Sequence, residues 1–135
     1  MLERLKENLK NSYAPYSNFH VSAILKTKSG KEYTGVNIEN ASYGACICAE
    51  RVAIVKALSE GERSENFREI HIMCDGNDKV MPCFICRQVF AEFFNDETKI
   101  YVYNIQGDFD QYTKKEICPY PFSKEDLIWK VDLWA

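Results

Sequence analysis

Two short segments, Cys48-Ala49-Glu50 and Pro82-Cys83-Phe84-Ile85-Cys86, carry side chains whose types and spacing can do chemistry. Both open predicted helices. A cysteine at a helix N-terminus sits at the positive end of the helix dipole, which favours the thiolate, the form that binds metal. Cys83 and Cys86, at i and i+3, share one helical face and can chelate one ion together. Cys48, 35 residues before Cys83, completes a three-thiolate set. Three protein ligands leave the fourth tetrahedral position open, the arrangement of a catalytic zinc. Glu50, two residues beyond Cys48, points beside that position. Cys46 is the alternative or supplementary ligand. Three thiolates carry more negative charge than a divalent ion balances, and two helix N-termini with Arg51 can offset the excess.

Positioning these residues requires a scaffold. The leucine spacing predicts a helix over Leu2 to Ser12, then a loop at Tyr13-Ala14-Pro15-Tyr16-Ser17. Phe19, Val21, Ala23 and Leu25 alternate with His20, Ser22 and Lys26, the period of a half-buried strand. Lys28 to Lys31 is a hairpin turn, and Glu32 to Ile38 the returning strand. A small-residue loop, Asn40 to Ile47, leads into a largely buried helix over Cys48 to Leu58, ended by Gly61. Ile70 to Cys74 reads as a central strand. The next helix spans Pro82 to Phe94, with Pro82 at its first turn, where a missing N–H costs nothing. Lys99 to Tyr103 and Phe109 to Thr113 are strands, the second at an edge. Phe122 to Leu127 reads as a short helix with Ser123 as N-cap. The expected architecture is α/β: one domain over residues 1–135, with a mixed five-stranded sheet between helices in three layers.

Composition narrows the function. The chain has 135 residues, 46% of them hydrophobic, which suffices for a core without disulfide staples. A formal net charge of −3 and no clustered basic surface disfavour long DNA or RNA as a partner. No apolar run approaches a membrane span of about 20 residues. Met1 to Lys10 lacks the apolar core and cleavage site of a signal peptide, so the expected compartment is the cytoplasm. There, six cysteines suggest metal binding, catalysis or packing rather than disulfides. Cys74, Cys118, His20 and His71 match no ligand pattern and read as structural.

A cysteine, then x-Glu, then Pro-Cys-x-x-Cys is the pattern of zinc deaminases, in which the glutamate moves protons. The chain resembles the small cytidine deaminases of the zinc-dependent nucleoside type from Tyr13 to about Leu127. The matching segments are Tyr13-Ala14-Pro15-Tyr16-Ser17-Asn18-Phe19, Asn37-Ile38-Glu39-Asn40-Ala41, Cys48-Ala49-Glu50-Arg51, Pro82-Cys83 with Cys86-Arg87-Gln88, and Phe122 to Leu127. The resemblance implies zinc as cofactor and hydrolysis of cytidine and deoxycytidine in pyrimidine salvage. It implies that Asn37 and Glu39 hold sugar hydroxyls, that Phe19 packs against the base, and that groups around Ala49 and Glu50 hold the base edge. It also implies a homotetramer in which Tyr43 and Phe122 reach a neighbour's substrate.

Phe84 and Ile85 depart from the Gly and small residue usual between the paired cysteines, a difference whose effect on the pocket wall the sequence does not determine. Cys118-Pro119-Tyr120-Pro121-Phe122 also differs from the usual Leu-Pro run. Two other readings stand beside the first: deamination of a related nucleoside such as a blasticidin-type antibiotic, and a structural zinc module, which a fourth cysteine on the metal would favour. The aromatic tail, with Trp129 and Trp134, is too apolar to be a solvated end and suggests an interface.

Overall fold

A computed structural model describes residues 1–127 of the chain. The aromatic tail, Ile128 to Ala135, lies outside the described residues. Five strands form one mixed sheet: β1 (Val21–Thr27), β2 (Glu32–Val36), β3 (Phe67–Cys74), β4 (Lys99–Tyr103) and β5 (Phe109–Thr113), in the order β2-β1-β3-β4-β5. All pairs are antiparallel except β3 with β4, where Ile70 lies opposite Ile100. A parallel pair needs a crossover, and α3 (Phe84–Phe93) supplies it.

Three layers result, as expected. Helix α1 (Leu2–Leu9) covers one face, where Leu5 packs with Ile24, Met73 and Tyr103. Helices α2 (Ala49–Ser59) and α3 cover the other, where Ile54 and Phe90 join Ala23, Leu25, Ile72 and Val102 of the sheet in one core. Phe90 and Phe94 stack at i,i+4, with centroids 4.8 Å apart. Gly61, at φ +89°, ends the chain path from α2 with the left-handed turn that glycine adopts freely.

Several boundaries differ from expectation. Strand β1 starts at Val21, because Asn18 turns the backbone into the left-handed region at φ 55°. It is buried on both faces rather than one: α1 covers the side that alternation assigned to solvent. Ser22 is fully buried there and accepts a hydrogen bond from Asn8 Nδ2 at 2.9 Å. Pro82 lies outside α3, one residue before the N-cap Cys83, and its carbonyl accepts from Arg87 Nε at 2.8 Å. Helix α4 (Lys114–Ile117) was not expected, although its reciprocal Thr113–Glu116 capping box is written in the sequence. Toward the end of the described chain, the helical turn begins at Glu125. The Ser123 N–H donates to Asp126 Oδ2 at 2.8 Å, so Asp126, not the Ser123 hydroxyl, ties this turn.

Candidate active site

Helices α2 and α3 bring their N-termini together on one face of the sheet. Cys48 is the N-cap of α2, and Cys83 is the N-cap of α3 with Cys86 in its first turn. The close seat of α2 depends on Gly35 in β2, since a Cβ there would stand 2.3 Å from the Ala49 carbonyl oxygen.

The three sulfurs lie within 4.8 Å of one another, and Cys48 Sγ is 3.7 Å from Cys83 Sγ. A tetrahedral ion with metal–sulfur bonds of about 2.3 Å spaces its sulfurs about 3.8 Å apart, so this donor set fits zinc. Hydrogen bonding from Cys86, then from Arg51 and Cys83, draws the Cys48 thiol down to about 5 against burial. Cys86 is driven up beyond the ordinary thiol range, by its bond to Cys48 first and by burial. Arg51 Nη2 donates to Cys48 Sγ at 3.4 Å, bringing a positive charge to the sulfur cluster.

Glu50 sits one residue inside α2, nearly fully buried. Burial pushes its carboxyl up to about 7, and the neighbouring Cys48 charge adds to the rise. A carboxyl near neutrality can both take and return a proton at physiological pH.

Glu50, Cys48 and Cys83 open into a cavity of about 370 Å³, whose wall also includes Phe19, Asn37 and Glu39. That volume suits a small molecule. Asn37 donates from Nδ2 to the Phe19 carbonyl at 2.7 Å, and its Oδ1 accepts from the Val21 N–H at 2.9 Å. Glu39 Oε1 accepts from the N–H groups of Tyr16 and Ser17 at 2.9 and 3.1 Å, and Oε2 accepts from the Ser17 hydroxyl. These bonds, the Ser17 hydroxyl foremost, hold the Glu39 carboxyl below its ordinary range.

The other expected site residues do not line this cavity in the single chain. Ala49 is completely buried at the start of α2. Tyr43 is 75% exposed and meets Tyr16 edge-on at 6.1 Å. Phe122 is 58% exposed and lines a separate hollow with Phe84, Arg87 and Tyr120. Phe84 and Ile85, whose effect on the pocket wall the sequence leaves open, are exposed and do not line the cavity of this chain. Their positions at the start of α3 turn them away from the face that carries Cys86, and Arg87 stacks on the Phe84 ring at 4.4 Å. Cys46 lines the cavity but stands outside the sulfur trio, accepting from the Asn40 N–H at 3.3 Å. Cys74 also lines it, with a thiol that burial pushes up to about 12.

Sequence reasoning did not single out Ser17, Val21, Ile47, Ile72, Val80 or Met81 as site residues, and these complete the wall. Ser17 lies within the Tyr13–Phe19 segment, but only the folded loop shows it binding Glu39. His71 belongs to the opposite face, bonded to Tyr103 and Glu69 and stacked on Tyr101 at 4.4 Å.

Comparison with known proteins agrees with this geometry. Residues 1–103 match the family described as the cytidine and deoxycytidylate deaminase zinc-binding region. A cytidine deaminase of Sporosarcina psychrophila is 40% identical over 132 residues, 98% of this chain and 96% of that protein. One from Halalkalibacterium halodurans is 46% identical over 118 residues, covering 87% and 88%. The crystal structure of cytidine deaminase from Burkholderia pseudomallei superposes with a TM-score of 0.85 at 40% identity, over 90% of this chain and 95% of that one. On the match of residues 1–103 to this family and the 40–46% identity to its members over most of the chain, the chain belongs to the cytidine and deoxycytidylate deaminase family of zinc enzymes.

Proposed function

We propose that the chain catalyses the hydrolytic deamination of cytidine and deoxycytidine to uridine and deoxyuridine with release of ammonia, in pyrimidine salvage. The observation that carries this reading is the opening of Glu50 and the sulfur cluster into one cavity that can hold a nucleoside. Cys48, Cys83 and Cys86 would hold zinc, which when bound supplies the Lewis acidity that makes water nucleophilic near neutral pH. Glu50 takes a proton from the attacking water and delivers it to N3 of the base. It later carries a proton to the departing amine, so that water and cytidine become uridine and ammonia. Arg51 balances charge at Cys48.

At the sugar end, Asn37 offers a donor and Glu39 an acceptor, which together suit a hydroxyl, a group that both gives and takes a hydrogen bond. Phe19 packs against the base, and Ala49 contributes backbone at its polar edge. No Lys or Arg lines the cavity among the described residues, and two carboxylates do, which disfavours a phosphorylated substrate.

The working form in this proposal is a homotetramer of one-domain chains, residues 1–135. Tyr43, Phe84, Ile85, Tyr120 and Phe122 leave large apolar groups exposed on one copy, and such surface marks interfaces. Tyr43 and Phe122 would then complete a neighbour's site. Among the described residues no helix is long and apolar enough to cross a membrane; the proposed compartment is the cytoplasm. Asn37 and Glu39, set in the cavity wall to meet sugar hydroxyls, favour a cytidine pocket over one adapted to a blasticidin-type substrate. An ultraviolet assay of cytidine loss, with zinc and after chelation, decides the reaction: the expected result is zinc-dependent conversion to uridine, and no loss by the zinc-loaded protein overturns it.

A further inference from the structure

Asn37 is held by more than the backbone around it. Its Oδ1 accepts a hydrogen bond from the Ser12 hydroxyl, and Ser12 Oγ lies 3.0 Å from His20 Nδ1. Neither Ser12 nor His20 lines the cavity; both border a separate surface hollow with Lys6 and Asp75.

We propose that Ser12 and His20 are positioning residues, which hold the Asn37 carboxamide so that its remaining N–H meets the sugar of the substrate. The inference rests on the reading of Asn37 as a sugar ligand.

A carboxamide has two donor hydrogens and two acceptor sites. The Phe19 carbonyl and the Val21 N–H settle which end is nitrogen and which is oxygen. Ser12 takes the second acceptor site, so one N–H is left for the cavity. Ser12 has a single proton to give. Giving it to Asn37 obliges Ser12 to accept from His20, which requires a proton on Nδ1; His20 Nε2 lies 3.4 Å from Asn18 Oδ1, so that end of the ring also faces an acceptor. A ring protonated on Nε2 alone would draw the Ser12 proton to itself and set two lone pairs against each other at Asn37. Asn37, Ser12 and the Nδ1 edge of His20 therefore share one consistent proton arrangement. In such a chain each bond polarises the next, which makes the free N–H a better donor.

The backbone delivers the chain. The Tyr13 N–H donates to the Asn37 carbonyl at 3.0 Å and the Glu39 N–H to the Tyr13 carbonyl at 2.9 Å, which lays Ser12 beside Asn37. The Asp75 N–H donates to the His20 carbonyl at 3.1 Å and fixes the other end.

The experiment compares cytidine with 2′,3′-dideoxycytidine, which lacks the ring hydroxyls, on the zinc-loaded enzyme. Ser12→Ala should raise KM for cytidine about three- to tenfold, the loss of one neutral hydrogen bond. The kcat should stay within about twofold, KM for the dideoxynucleoside should not move, and Ser12→Thr should restore the parent values. His20→Ala, which keeps the Ser12 hydroxyl, should show the same pattern at about two- to threefold, and it carries the test if Ser12→Ala does not fold. An equal KM rise for both nucleosides, or for neither, overturns the proposal when Asn37→Ala abolishes the preference for cytidine. If Asn37→Ala keeps that preference, the sugar reading itself fails and takes the proposal with it.

Discussion

Gly35 and Ala49 touch so closely that no side chain fits between them: a Cβ on Gly35 would lie 2.3 Å from the Ala49 carbonyl oxygen and 2.5 Å from the Ala53 nitrogen. The partner atoms are helix backbone, which cannot swing aside. Helix α2 therefore seats on β2 at a depth that glycine alone allows, and that depth places Cys48 and Glu50.

Replacing Gly35 with Ala should lift α2 from the sheet. The expected cost is about 1–3 kcal/mol, as for other overpacked interiors. Thermal melting should show it, and zinc content should fall with it, because Cys48 moves relative to Cys83 and Cys86. A variant with the parent's melting temperature and full zinc would contradict this account of the seat.

Cys48→Ser, Cys83→Ser and Cys86→Ser should each lose most bound zinc and most activity, while Cys46→Ser keeps both. The difference lies in the sulfur positions, since Cys46 is engaged with Asn40 outside the trio. Metal analysis of the four purified variants measures it directly.

Glu50→Gln should leave a folded, zinc-loaded protein with turnover reduced by at least about 100-fold, because an amide of the same shape cannot carry protons. Its melting temperature should equal or exceed the parent's, since a neutral group no longer sets a charge in a buried place. Single-turnover assays would then show intact nucleoside binding without chemistry.

Cytidine should be a better substrate than CMP by more than about tenfold in kcat/KM, and better than free cytosine by a similar margin. A phosphate would enter a cavity with two carboxylates in its wall and no cationic side chain among the described residues. Parallel assays of the three compounds settle the substrate class, and comparable constants for cytidine and CMP would refute it.

Phe122→Ala should raise KM while sparing kcat, since Phe122 does not line the cavity that holds Glu50 within one chain and is proposed to act on a neighbour. Sedimentation should give a species of about four chains; a fully active species at the 15.7 kDa of one chain would exclude a shared site.

Local chemistry and short-range periodicity were legible in the sequence by itself. The two cysteine segments announced a metal-binding trio, because a helix start and an i,i+3 spacing fix where thiolates point relative to one backbone. The strands Lys99–Tyr103 and Phe109–Thr113 were expected at the residues where they occur, since each is a short run bounded by turn residues. Only the tertiary structure decided what depends on distant neighbours. Strand β1 is buried on both faces because α1 packs on the side that alternation left open. Phe84 and Ile85 stand next to metal-binding cysteines in sequence yet face outward, because the turn of α3 separates adjacent residues by direction. The Ser12–Asn37 and Ser17–Glu39 bonds join residues 25 and 22 positions apart, and no local pattern encodes such pairs. They arise when the sheet and its loops close, which is a property of the whole fold.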